Sequence, residues 1–233
     1  IDMRFQGVHA LDDVSITLRR GEVHALMGEN GAGKSTLMKI LVGLYVPTKG
    51  EIYYKGKQVH FKSVMDTKKA GISMIFQEFN QVKYMMVMEN IYLGREPMTR
   101  TGCVDYQKMY EDSKRLLEGL GVDLDPKARM ADLTVAKFQL VEIVKAISYD
   151  ADVIIMDEPT SALTSKEIDD LFVIIHKLRD EGCGIVYISH RLEELQHIVD
   201  RVTIMRDGKF ITSGNFTDFS MDEIIANMVG REI

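Results

Sequence analysis

Gly28-Glu29-Asn30-Gly31-Ala32-Gly33-Lys34-Ser35 fits G-x-x-x-x-G-K-[S/T], a pattern that carries meaning only between a strand and a helix. Both neighbours qualify. Glu22 to Met27 reads as a strand, and Lys34 to Leu44 as a helix whose Leu37, Ile40, Leu41 and Leu44 fall at i, i+3, i+4 and i+7. In that setting glycines let backbone N–H groups wrap phosphate oxygens, and the helix N-terminus adds positive potential. Lys34 then reaches the β- and γ-phosphates of a nucleotide, and Ser35 offers its hydroxyl to Mg²⁺. Gly28 to Ser35, with Thr36, are the candidate nucleotide-binding residues.

The other half of this chemistry lies downstream. Val153-Ile154-Ile155-Met156 is an apolar run ending in Asp157-Glu158, so a buried strand delivers two carboxylates to the end of a sheet where ligands of parallel sheets gather. Asp157 is placed to hold Mg²⁺ through water. Glu158 is placed to orient or deprotonate an attacking water, which hydrolysis needs and simple binding does not. The plainer alternative is two solvated acids opening the Pro159 turn. Around this run strands and helices alternate: strand Val153–Met156, helix Ser165–Glu181 opened by the capping box Thr164…Glu167, strand Gly184–Ile188, helix Arg191–Val199, strand Val202–Arg206. Such alternation predicts a largely parallel sheet with helices on its faces. A last helix starts at Ser220…Glu223, with Met221, Ile224, Ile225 and Met228 facing inward.

Upstream and in the middle the pattern changes. The first fifty residues read as strand-rich, Glu51 to Tyr54 with Lys55-Gly56-Lys57 as a hairpin, and Gly71 to Phe76 as a strand. A Met-heavy stretch from Gln77 to Glu96 precedes a helix from Asp105 to Gly121, with Tyr106, Met109, Tyr110, Leu116, Leu117 and Leu120 on its apolar face. Leu133 to Ser148 is helical again, with Leu140, Val141, Val144 and Ile147 on one face. The expectation is an α/β P-loop NTPase fold with an antiparallel β region at its N-terminal end. Residues 1–77 and 151–233 would form the ATP-binding core, and 78–150 an inserted helical subdomain.

Composition narrows the class. At 233 residues, 45% hydrophobic and 27% charged, the chain is long enough to bury a core and is neither disordered nor collagen-like. Its 29 basic and 35 acidic residues give a net charge of −6, so no large cationic footprint for nucleic acid is present in the total. No apolar run approaches the ~20 residues of a spanning helix. Cys103 and Cys183 match no zinc spacing or disulfide framework and suit a reducing cytoplasm. A first residue of Ile1 rather than Met suggests a piece of something longer.

Taken in order, these motifs resemble the nucleotide-binding domain of an ABC transporter over nearly the whole chain. Phe76-Gln77 is similar to the family's glutamine loop, which implies that Gln77 touches Mg²⁺ or the attacking water and reports to a membrane subunit. Ser161-Ala162-Leu163 resembles the D-loop facing the partner domain, with Thr164 where many members carry Asp. Ser189-His190 resembles the switch histidine, which implies that His190 contacts the γ-phosphate and helps position Glu158 and the water. Phe5 resembles the aromatic that stacks on adenine, although a strand residue packed in the core reads equally plainly. Leu133-Thr134-Val135-Ala136-Lys137 occupies the place of the signature, commonly Leu-Ser-Gly-Gly-Gln, and departs from it at four of five positions. Thr134 keeps a hydroxyl at a helix N-terminus, Val135 and Ala136 bring side chains where glycine allows close approach, and Lys137 puts a cation where a neutral amide is usual.

A finer resemblance, to monosaccharide importers of the ribose, galactose and xylose type, rests on five segments. These are Phe5 to Leu11, Gly21 to Asn30, Val141-Glu142-Ile143, Ser161 to Thr164 and Ser189 to Glu194. It implies the first of two tandem ATP-binding domains, using ATP and Mg²⁺ on the cytoplasmic face of the cell membrane. The implied partners are a second nucleotide-binding domain and membrane permease subunits, the latter through residues 77–96, where the apolar run Tyr84 to Met88 is either a docking patch or core. Two alternatives remain at the level of sequence: a soluble ATPase of this type acting on DNA or the ribosome, and a regulatory module that binds ATP with little turnover.

Overall fold

The computed structural model describes residues 1–76 and 81–230. Its strands, in chain order, are β1 (Met3–Phe5), β2 (Val8–Leu11), β3 (Val23–Met27), β4 (Ile52–Tyr54), β5 (Lys57–Val59), β6 (Ile72–Ile75), β7 (Val153–Asp157), β8 (Gly184–Ile188), β9 (Arg201–Arg206) and β10 (Lys209–Asn215). Its helices are α1 (Lys34–Leu41), α2 (Val64–Ala70), α3 (Val87–Ile91), α4 (Tyr106–Gly119), α5 (Val135–Ile147), α6 (Ser165–Asp180), α7 (Leu192–Ile198) and α8 (Met221–Val229).

Six strands make one sheet in the order β10-β9-β3-β8-β7-β6, parallel throughout except for β10, which runs antiparallel to β9 at one edge. A strand covered by packing on both faces needs apolar residues on both, which explains the apolar runs in β7 and β8; in β3 the run is broken by His24, buried and bonded to Glu22 and Thr203. Alternate residues then go to opposite layers. Val23, Ala25, Met27, Ile154, Met156, Ile185 and Tyr187 join one buried cluster with α6 and α7, while Leu26, Ile155, Val186 and Ile188 join another with α1. Two short hairpins, β1–β2 and β4–β5, lie outside this sheet. Between β6 and β7, helices α3, α4 and α5 pack around Val87, Ile91, Leu117, Met130, Val141 and Val144.

The sequence-based elements differ from the structure at identifiable places. Helix α1 stops at Leu41, and Leu44, expected on the buried face, is exposed. Gly43 takes φ 72°, its N–H donates to the Ile40 carbonyl, and the Leu44 N–H donates to the Lys39 carbonyl. That pair of bonds is a Schellman stop, which turns the chain before another helical residue can be added. Tyr106 is also exposed, because as the first residue of α4 it lies ahead of the turns that reach α3 and α5. Val87 and Met88, read as part of a possible docking patch, are 0% and 3% exposed and belong to core, whereas Tyr84 in the same run is 91% exposed. Helix α2 and strand β10 lie where the sequence pattern above assigns no element. Both carry signals: Ser63 caps α2 by accepting from the Asp66 N–H, an S-x-x-D start, and the β9–β10 turn is Asp207-Gly208, with φ 49° and 75°.

Candidate functional site

The glycine loop leaves β3 in the middle of the sheet and enters α1, while β7 and β8 end on either side of a common edge. Register pairs Asp157 with Ile188, and the Glu158 N–H donates to the Ile188 carbonyl at 2.9 Å. These ends enclose a cleft of about 320 Å³ walled by residues 30–36, by Asp157 and Glu158, by Val8 to Ala10 of β2 and by the Asp207-Gly208 turn. A larger cavity of about 1070 Å³ lies between residues 14–20, the β4–β5 hairpin and the sheet. In it Lys55 Nζ lies 2.5 Å from Asp152 Oδ2, with Arg19, Arg20 and Glu51 also on the walls, whereas the smaller cleft sets a glycine loop and Lys34 against Asp157 and Glu158.

Inside the loop, sterics explain Gly28. A Cβ there would lie 2.3 Å from the carbonyl oxygen of Met205 on β9, so only glycine lets the loop start this close to the neighbouring strand. Lys34 reaches back across the loop, donating from Nζ to the carbonyls of Gly28 at 2.8 Å and Glu29 at 3.0 Å. Glu29, Asn30, Gly31 and Ser35 are exposed toward solvent, Thr36 is half-buried, and Ala32 packs inward beside Leu37. The α1 N-cap is Gly33, which has no side chain to bond the first-turn N–H groups.

Charges here are held under tension. Burial pushes the Asp157 carboxyl above its ordinary range, Glu158 pushes it further, and Lys34 and Lys39 partly offset the rise. Burial holds the Lys34 ammonium below its ordinary range, against the pull of Asp157 and Glu158. The Glu158 backbone sits at φ 49°, the left-handed region that non-glycine residues seldom occupy, and its Oε1 is 2.9 Å from His190 Nδ1. The structure thus joins the loop 28–36, Asp157, Glu158 and His190.

Other sequence-derived candidates lie apart from it. Phe5 is exposed at the end of β1, its ring edge-on to Tyr45 at 5.4 Å between centroids, and is not among the residues walling the cleft. Thr134 caps α5, accepting from the Lys137 N–H at 3.4 Å, and Thr134, Val135 and Lys137 are exposed, with Ala136 half-buried, away from the cleft. Gln77 lies outside the described residues. His9, Asp207 and Gly208 line the cleft without having been singled out; the Asp-Gly turn signal marks the last two.

Residues 11–161 match the ABC transporter family, and the chain belongs to it. Over its full length it is 55% identical to the putative ribose/galactose/methyl galactoside import ATP-binding protein 2 of Agrobacterium fabrum, covering 45% of that protein. It is 50% identical, again over its full length, to the galactose/methyl galactoside import ATP-binding protein MglA of Salmonella typhimurium, covering 46%. The chain therefore spans about half the length of these curated relatives. Among solved structures, a nucleotide-free ATP-binding cassette from an ABC transporter is 26% identical with a TM-score of 0.83, covering 99% of this chain and 93% of that one. The ADP conformation of the cassette MJ1267 is 27% identical with a TM-score of 0.82, covering 97% and 91%. The expected fold class, an α/β P-loop NTPase with a largely parallel central sheet, is the one observed. No helix among the described residues is long and apolar enough to cross a membrane.

Proposed function

We propose that this chain is a MgATP-hydrolysing domain of an ABC importer for a monosaccharide. The observation that carries the reading is the Glu158–His190 contact at the mouth of a cleft floored by the Lys34 loop. The residues fit MgATP: the loop offers open N–H groups and a lysine to the phosphates, and Ser35 with Asp157 is the oxygen donor set that suits Mg²⁺. When bound, Mg²⁺ neutralises charge on the β- and γ-phosphates. Lys34 and the loop amides fix the phosphates in place. Asp157, raised by burial and by Glu158, gains from a cation beside it. Glu158 orients the attacking water and takes its proton, with His190 fixing the Glu158 carboxylate by their 2.9 Å contact.

The identity to sugar import ATP-binding proteins supports the monosaccharide assignment, and with it a place at the cytoplasmic face of the membrane beside permease subunits. Residues 1–77 and 151–233 act as the ATP-binding core and 78–150 as the helical subdomain, and Gln77, at the boundary in sequence, would touch the metal or the attacking water. Phe5 stacks on adenine once nucleotide is bound. Thr134 to Lys137, of which Thr134, Val135 and Lys137 are exposed and all lie away from the chain's own cleft, serve the site of a second nucleotide-binding domain. The test is Glu158→Gln in the complete protein with its membrane subunits. ATP binding is expected to persist while turnover falls ~10²–10⁴-fold. Parental turnover would remove Glu158 from the chemistry.

A further inference from the structure

Beneath the Glu158–His190 pair lies a second set of polar side chains that no step above uses. Glu194, in the first turn of α7, is only 7% exposed. Its Oε2 accepts from Thr160 Oγ1 at 2.6 Å and from the Tyr187 hydroxyl at 3.2 Å, and its Oε1 is 2.6 Å from Arg191 Nη1 in an ion pair. Thr160 and Tyr187 are themselves buried. Burial and the Glu194 charge both push the Tyr187 phenol upward, so it remains a donor. A carboxylate in such a place is costly unless every partner is present, and an apolar side chain would fill the same space without that cost. The position of the three partners gives the carboxylate a purpose.

Thr160 follows Glu158 by two residues, Tyr187 precedes His190 by three, and Arg191 follows His190 directly. One carboxylate therefore binds the loop that carries Glu158, the strand end that leads to His190, and the residue after His190. The His190 side chain is 66% exposed, so its own surroundings do little to hold it against Glu158, whose side chain is 22% exposed and whose N–H is tied to Ile188. The placement of His190 then depends on the segment beneath it. The Arg191 N–H donates to Ser189 Oγ and the Glu194 N–H to the Arg191 carbonyl, which makes the His190 turn and the start of α7 one connected piece.

We propose that Glu194 is a positioning residue that sets the distance between Glu158 and His190 by clamping Thr160, Tyr187 and Arg191. The inference rests on the reading of Glu158 and His190 as the groups that handle the attacking water. Glu194→Ala would strand two buried donors and remove packing, so milder exchanges carry the test. In the complete protein with its membrane subunits, Thr160→Val deletes one hydroxyl at similar volume, Thr160→Ser keeps it, and Tyr187→Phe deletes the other.

The valine and phenylalanine variants are expected to lose kcat by about tenfold or more, since misplacing a reacting group by ~1 Å costs ~10²-fold. KM for ATP and the affinity for mant-ATP are expected to stay within about twofold, and Thr160→Ser to restore the parental rate. Parental kcat in both deletion variants, alongside a dead Glu158→Gln control, would overturn the clamp while sparing the catalytic reading. So would a loss of ATP affinity as large as the loss of kcat, which marks general destabilisation. Parental turnover in the Glu158→Gln and His190→Ala controls would overturn the catalytic reading and the clamp with it.

Discussion

Replacing Gly28 by alanine adds one methyl group at the point where the phosphate loop leaves β3. The new Cβ would stand 2.3 Å from the Met205 carbonyl oxygen and 2.9 Å from the Ala32 Cβ, and ordinary contact begins near 3.4 Å. Relief requires about 1 Å of movement between β3 and β9. Neither strand is free to give it: Met27 pairs with Ile204 in the parallel ladder, and all five residues of β3 are fully buried. Overpacking of this kind costs ~1–3 kcal/mol, and the tight end of that range corresponds to a fall in Tm of about 6–12 °C for a domain this size. If the strain is relieved by moving the loop instead, ~1 Å at the phosphates is enough for about 10²-fold in function. Gly31→Ala is the control, because its Cβ meets no heavy atom within 4 Å and only the left-handed φ of 87° is penalised, at ~1–2 kcal/mol. Thermal unfolding and mant-ATP titration on the complete protein would separate the two. Unchanged Tm and unchanged affinity in Gly28→Ala, or equal effects at both glycines, would refute the steric argument.

Further outcomes concern the phosphate loop, the β7 carboxylate and the two cysteines. Lys34→Ala is expected to abolish measurable ATP binding in a fluorescence titration while leaving the fold intact by circular dichroism, because among the described residues the lysine bonds only loop carbonyls, at 2.8 and 3.0 Å. Asp157→Asn is expected to raise the stability of the nucleotide-free protein near pH 7. A carboxyl raised in the folded state favours folding below its unfolded value of ~3.9 and loses that contribution as pH rises through the folded value, so the advantage of asparagine should shrink on acidification. Urea unfolding at several pH values checks the trend. Cys183 is buried and its thiol pushed up to about 12, whereas Cys103 is exposed, so iodoacetamide at pH 8 should label Cys103 in the native protein and both thiols only after unfolding. Mass spectrometry of the labelled peptides reads the difference.

What was legible in the sequence was whatever local chemistry decides. The strand–loop–helix around Gly28 to Lys34 and the strand ending in Asp157 need only their own residues to be recognised, and both stand where the pattern put them. The Thr164–Glu167 capping box opens α6 for the same reason. Periodicity failed where an end or a neighbour decides. Leu44 has helical spacing, but the left-handed Gly43 turns the chain first, and Tyr106 precedes the part of α4 that has anything to pack against. Met-rich sequence from Tyr84 to Met88 reads the same whether it faces solvent or core, and packing with residues of α4 and α5 is what buries Val87. The Glu158–His190 contact joins residues 32 apart, and no local pattern measures its distance.

The strand order has a consequence in time. β3, the strand that feeds the phosphate loop, has β8 and β9 as its sheet neighbours, and the chain reaches these roughly 150–175 residues after β3 is made. At ~5–20 residues per second a ribosome leaves this apolar strand without its partners for something between about ten and thirty-five seconds. Its immediate neighbour in sequence, α1, can cover only one face in that interval. The Asp207-Gly208 turn, which walls the cleft and accepts the Asp12 N–H on its Gly208 carbonyl, arrives later still. The most recognisable motif in the chain is thus among the first things synthesised and among the last to become a site, and nascent chains stalled between β7 and β9 are where chaperone dependence should concentrate.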